Sequence, residues 1–166
     1  VELDERLLAT PSIALDQCNR LTSRMATEAI GSFRLSIQAI DRFTPEIAQK
    51  VRDIEEKTDH YEDVLGTYLA RLSQYQISDR DSATVSKLLK AIGDLERISD
   101  HAVNVIESAE ELREKGIEFS GSAKAELNVL CRAVEETLTL TERAFVEENV
   151  ALAYDVEPLE QVVDDL

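Results

Sequence analysis

Apolar residues recur at alternating spacings of three and four along successive stretches of this 166-residue chain, a period that specifies amphipathic helices. The pattern is most regular in Ile47, Val51, Ile54, Thr58, Tyr61, Leu65, Tyr68 and Leu72. This seam continues for more than three heptads and suits lengthwise packing against partner helices. A stripe through Ala14, Cys18, Leu21, Met25, Ala29, Phe33, Ile37 and Ile40 precedes it. Another, through Val85, Leu88, Ile92, Leu95, Ala102, Val105, Ala109 and Leu112, follows. Leu127, Leu130, Val134, Leu138 and Phe145 mark a fourth helix, and Leu159, Val162, Val163 and Leu166 a short fifth. With 43% apolar residues and only 5 Gly and 3 Pro, the composition favours long helices over a turn-rich β fold.

The breaks between stripes carry helix-boundary chemistry. Thr10-Pro11-Ser12 starts the first helix. At Phe43-Thr44-Pro45-Glu46 the second begins, with Thr44 as N-cap, Pro45 at the first helical position and a carboxylate in the first turn. Ser78-Asp79-Arg80-Asp81 offers caps to the third, which ends at Lys115-Gly116. Ser120-Gly121-Ser122 is the clearest turn, with Ser120 or Ser122 as cap. Asp155-Val156-Glu157-Pro158 is either a new helix start or a kink in a continuing helix. Short connections make successive helices antiparallel, so the expected fold is an all-α, up-down antiparallel bundle.

The chain carries 34 acidic and 18 basic residues, a formal charge of -16, which repels a phosphate backbone and excludes nucleic acid as an expected partner. Acidic excess serves solubility, a cation-binding surface or a docking face for a basic partner. Cys18 and Cys131 fall within apolar stripes rather than in a Cys-x-x-Cys frame and read as small core residues. No apolar run approaches the ~20 residues that cross a bilayer, and the start, Val1-Glu2-Leu3-Asp4-Glu5-Arg6, lacks signal-peptide character. The chain begins without Met and ends at Asp164-Asp165-Leu166 within an expected helix, so it reads as a segment of a longer protein.

Three Glu-x-x-x-Asp pairs stand out: Glu55 with Asp59, Glu96 with Asp100, and Glu160 with Asp164. This spacing stacks two carboxylates on one helix face, where they repel each other unless a cation neutralises them. So many acids give on the order of seven acid-x-x-x-acid pairs by chance, so spacing alone is weak. Position adds weight, because each Glu directly follows a stripe residue, Ile54, Leu95 or Leu159, on the shoulder of an apolar seam. If such helices meet, four to six carboxylates converge into an all-oxygen site for Mg²⁺, Mn²⁺, Zn²⁺ or Fe; otherwise the acids are solvated or paired with arginine. Neither His60 nor His101 has a Glu three residues before it, which disfavours a ferritin-type di-iron centre. Each follows the Asp of a pair and projects about 100° away from it. There is no Gly-rich phosphate loop, Gly-x-Ser-x-Gly or Cys/His zinc frame, and no enzyme activity is expected.

Ile54-Glu55-Glu56-Lys57-Thr58-Asp59 is echoed by Leu159-Glu160-Gln161-Val162-Val163-Asp164 at an offset of 105 residues. At the same offset Ile47 meets Leu152, Ala48 meets Ala153 and Val51 meets Val156. This suggests a repeated three-helix unit of which the second copy is incomplete, against chance likeness between two amphipathic helices.

The segment Ile92-Gly93-Asp94-Leu95-Glu96-Arg97-Ile98-Ser99-Asp100-His101-Ala102-Val103-Asn104-Val105-Ile106 closely resembles the third-helix signature of PhoU-like proteins. Leu3 to Ala14 resembles the stretch that joins the membrane part of bacterial sodium/phosphate cotransporters to its cytoplasmic PhoU-like tail. The resemblance implies a linker over 1–9, a first three-helix repeat over 10–116 and a truncated second repeat over 117–166. It implies metal-binding acids at Glu55, Asp59, Glu96 and Asp100 in the first repeat, and at Glu160 and Asp164 in the second. The expected cofactor is a divalent or transition metal cation, Fe, Zn, Mn or Mg. The expected partner is the transporter membrane domain of the same parent chain, on the cytoplasmic side of the cell membrane, with a homo-oligomer as a further expectation. The implied role is regulation of phosphate uptake; the alternative is a helical adaptor in phosphate signalling that works through protein contacts without metal.

Overall fold

Three long helices pack pairwise against one another in the computed structural model, which describes residues 3–147 and 153–166. They are α1 (Pro11–Asp41), α2 (Pro45–Leu72) and α3 (Asp79–Glu114). A fourth, α4 (Gly121–Val146), lies on α1, and the short α5 (Val156–Asp164) packs on α4. Among the described residues there is no strand, so the expected all-α bundle is the observed one. Residues in the stretch expected as a linker form a 3-10 helix, Glu5–Ala9, which lies on α1 and buries Leu8.

Helix ends fall where the cap chemistry places them. The Thr44 hydroxyl accepts from the Ile47 amide at 3.2 Å, with Pro45 at the first helical position. Ser78 caps α3 through the Asp81 amide, and Ser120, rather than Ser122, caps α4 through the Ala123 amide. At the end of α3, Gly116 takes φ 60°, the Ile117 amide donates to the Leu112 carbonyl at 2.9 Å and the Gly116 amide to Arg113 at 3.1 Å. This paired closure needs a left-handed residue, which glycine supplies without steric cost. α5 opens at Val156 with Pro158 in its first turn, where a missing N–H breaks no helical bond. Leu152, one of the repeat positions, lies outside the described residues, whereas Ala153 and Val156 occupy the start of the α5 region.

The core divides into two apolar clusters. One gathers Leu15, Cys18 and Met25 of α1 with Tyr61, Leu65, Leu69 and Leu72 of α2 and Leu88, Ile92 and Leu95 of α3. The other joins Ala39, Ala48, Val51, Ala102, Ile106 and Ala109, with Phe33 and Phe43 against it. Between them in sequence on all three helices lie fully buried hydroxyl residues: Ser32 and Ser36 on α1, Thr58 on α2 and Ser99 on α3. In its second half α1 buries Ser32, Ser36 and Ala39, leaving Phe33, Ile37 and Ile40 only partly covered. A helix touching three others buries its smallest residues at the closest approaches, which a stripe drawn through the largest side chains does not register. Cys18 is buried as expected, but Cys131 is only half-buried, because α4 is peripheral and has no fully buried residue.

α4 is held by apolar packing, with Phe145 against the larger cluster, and by a polar clamp from one arginine. Arg34 donates from Nε to Glu135 at 2.9 Å, from Nη1 to Glu142 at 2.8 Å and from Nη2 to the Thr139 hydroxyl at 3.0 Å, and so grips two turns of α4. Lys124 pairs with Asp41 at 3.0 Å further along the same contact.

Candidate metal centre

The α2 seam turns Val51, Thr58 and Tyr61 inward, and the α3 seam turns Leu95, Ser99 and Ala102 inward. Residues one position along from each seam therefore reach the rim of the groove between these helices. Antiparallel packing, seen in the Arg52 to Glu110 ion pair of 2.6 Å together with the approach of Gly66 to Ile92, brings the middle of α2 to the middle of α3. The two acid-bearing segments thus meet across the groove.

The result is a carboxylate cluster. Oxygens of Asp59, Glu62 and Glu96 lie within 4.8 Å of one another. Glu55 and Asp100 belong to the same electrostatic neighbourhood. Partial burial pushes the Glu55 carboxyl above its ordinary value, and the charges of Asp100 and Asp59 push it further. Burial likewise raises Glu96, followed by the charges of Asp100 and Glu62, a hydrogen bond shared with Asp100 and the charge of Asp59. Among the described residues no ion pair involves any of these five acids, although Lys57 of the same helix is close enough to α1 to bind Glu28 at 2.6 Å. The groove holds negative charge against negative charge, and no ion pair among the described residues relieves it.

Of the four first-repeat candidates, Asp59 and Glu96 meet in this cluster, whereas Glu55 and Asp100 stand beside it, close enough for their charges to act on it. Glu160 and Asp164 do not join it: both are exposed on α5, which packs on α4. Glu62 was not among the expected residues. Its signal was present, since it sits three residues after Asp59 and so shares that helix face. The facing residue on α3 is Gly93, where an added Cβ would stand 3.5 Å from Glu62 Oε1. That is an ordinary contact distance, so Glu62 lies directly against the α3 backbone across the groove. His60 and His101 are exposed and lie outside the acid group, as their angular offset implies.

This donor set fits a cation. Oxygens on opposite sides of an ion bound at about 2.1 to 2.4 Å are about 4.2 to 4.8 Å apart, so three carboxylate oxygens mutually within 4.8 Å lie inside that span. All-oxygen donors favour Mg²⁺, Mn²⁺ or Fe²⁺, and the lack of sulfur or imidazole disfavours a zinc preference.

No helix among the described residues is long and apolar enough to cross a membrane. No curated protein and no solved structure matches the chain. The family model of the PhoU domain matches residues 22–109, more than half of the 166 residues, and spans most of α1, all of α2 and most of α3 with the five clustered acids. Fold and family agree that this chain belongs to the PhoU domain family.

Proposed function

We propose that this chain is a metal-binding regulatory domain of a sodium-dependent phosphate transporter, acting from the cytoplasmic side of the membrane. In this reading 1–9 leads from the membrane domain, 10–116 forms one three-helix repeat and 117–166 begins a second. Glu55, Asp59, Glu62, Glu96 and Asp100 bind the cation. Glu160 and Asp164 are the half of a second site that α5 would contribute. Non-enzymatic regulation is the role in phosphate handling that membership of the PhoU family supports.

The observation carrying the metal assignment is the unneutralised convergence of Asp59, Glu62 and Glu96. Five acids without a basic partner oppose folding through mutual repulsion, and a bound cation reverses the sign of that term. A cation held between α2 and α3 also ties their midpoints together. Cation occupancy can then be transmitted to a partner as the relative position of two rigid helices.

Titration of purified protein with Mn²⁺, Mg²⁺, Fe²⁺ and Zn²⁺ by calorimetry, with elemental analysis of the isolated protein, tests this. Saturable binding in the wild type that Glu62→Gln plus Glu96→Gln abolishes, with helicity unchanged, is the expected result. Absence of binding by any of the four ions refutes the metal assignment and leaves the adaptor role, in which Asp59 and Asp100, both exposed, contact a basic protein surface.

A further inference from the structure

We propose that the cleft at the end of the bundle away from the 3-10 helix binds one anionic amphiphile: an acyl or aryl group bearing a phosphate, sulfonate or carboxylate head. The proposal is separate from the carboxylate groove and stands whether or not that groove binds metal. The cleft lies where the α1–α2 turn, the end of α3, the α3–α4 connection and the start of α4 meet. Its volume of about 630 Å³ is in the range of small-molecule sites.

Two chemistries line it. Ile40, Phe43, Leu112, Phe119 and Leu127 form apolar walls, and Ile117 and Phe119 at its mouth remain 52% and 45% exposed. Arg42, Arg113 and Lys124 also line it, with Asp41 and Glu118 as the acids. Acids outnumber bases almost two to one in the whole chain, so this local excess of cations reverses the overall balance. Lys124 already holds Asp41 at 3.0 Å, and among the described residues Arg42 makes no ion pair. Arg113 stands 5.2 Å over the Phe43 ring, a cation–π contact that fixes its guanidinium at the boundary between apolar wall and charged rim.

An apolar ligand alone leaves the two guanidiniums unused, and a free anion leaves the walls wet. A molecule with both parts satisfies each. Guanidinium forks match the planar or tetrahedral oxygens of such heads, and the chain's overall negative field makes local complementarity the source of selectivity.

Cys131 lines the cleft and supplies a built-in reporter. Burial and the Asp41 charge raise its thiol, but it is only half-buried, whereas Cys18 is fully buried with its thiol pushed up to about 12, so alkylation of the folded chain reads Cys131. The experiment follows iodoacetamide labelling of Cys131 by mass spectrometry, with monomeric decyl phosphate as the probe and calorimetry in parallel. Saturating decyl phosphate is expected to slow labelling about tenfold or more, with Arg42→Gln and Arg42→Gln plus Arg113→Gln weakening binding stepwise, the double variant by about tenfold. Arg42 is exposed, so the single variant keeps the fold and the test stands if the double variant does not. Protection by decanol equal to that by decyl phosphate overturns the role of the anionic head, and protection by inorganic phosphate alone overturns the role of the walls. Absence of protection by monomer, with binding only to phosphatidylcholine vesicles containing phosphatidylglycerol, overturns the single-molecule cleft in favour of a lipid surface. Unchanged protection in both arginine variants refutes the proposal.

Discussion

Replacing Glu96 with glutamine is expected to stabilise the cation-free fold and to remove its response to metal. Glu96 faces Asp100 one turn along its own helix and Glu62 and Asp59 across the groove. A like-charge pair one helical turn apart costs about 0.2–0.5 kcal/mol on an exposed helix, and three such neighbours would cost roughly 1 kcal/mol. The groove is open to water, so screening reduces the expected gain to about 0.5–1 kcal/mol. For a chain of this size that corresponds to about 1–4 °C in Tm. The assay is thermal unfolding by circular dichroism in EDTA at low salt and pH 7.5, for wild type and Glu96→Gln. A carboxyl held above its ordinary pKa in the fold binds its proton more tightly when folded than when unfolded. Wild-type stability therefore falls as pH rises through that raised pKa and recovers on acidification. The advantage of Glu96→Gln should accordingly be full at pH 7.5 and shrink as the pH is lowered into the carboxylate range, and it should also fade at 1 M salt. Adding Mn²⁺ to about a hundred times its Kd should stabilise the wild type by about 2.7 kcal/mol and the variant by far less, so that the order of the two melts reverses. A variant that melts at or below wild type in EDTA at low salt would refute the account of the groove as unrelieved repulsion.

Three further outcomes test the surroundings of the site. Arg34→Ala, which frees Glu135, Thr139 and Glu142, should cost about 1–2 kcal/mol and expose 121–147 to limited proteolysis before the α1–α3 unit is cut. Gly93→Ala should stabilise α3 by about 0.5–1 kcal/mol in denaturant unfolding, because its Cβ meets Glu62 at an ordinary contact distance of 3.5 Å and glycine is a poor residue in mid-helix. Leu65→Ala, at a fully buried position of the larger apolar cluster, should cost about 2–5 kcal/mol in the same assay.

The helices were legible because their signals are local. Thr44, Ser78 and Gly116 act through bonds to residues at most five positions away, so sequence alone locates the ends they set. The α2 seam was largely legible because its period stays in phase with one face: Val51, Thr58, Tyr61, Leu65, Tyr68 and Leu72 are buried, while Ile47 and Ile54 are only partly covered. α1 was read less well, since Ser32 and Ser36 are buried there while Phe33 and Ile37 are only partly covered. Which side of a helix faces inward depends on how many neighbours it has, and that is a tertiary fact. The same distinction separates the acids: an i, i+4 pair can be read from one helix, but Glu62 meets Glu96 only through the packing of α2 on α3.

The buried hydroxyl belt links the cluster to the core. Thr58 precedes Asp59 on α2 and Ser99 precedes Asp100 on α3, so the acids sit over the stretch where the two apolar clusters part. The Thr58 hydroxyl turns back to the Glu55 carbonyl at 2.9 Å, whereas the Ser32 and Ser99 hydroxyls have no hydrogen-bond partner among the described residues. A buried polar atom left unpaired costs about 1–3 kcal/mol, and a serine contributes less apolar area than a leucine or isoleucine at the same position. The repulsive carboxylates and the least apolar part of the core therefore fall at one level of the bundle. Low stability there does not threaten the ends, which Leu65, Leu69, Val51 and Ile106 secure from both sides. A cation placed in the groove adds its binding energy at the level where α2 and α3 are otherwise held most weakly. On the proposed metal-binding reading, an ion would tighten the middle of the bundle while both ends stay fixed by the two apolar clusters.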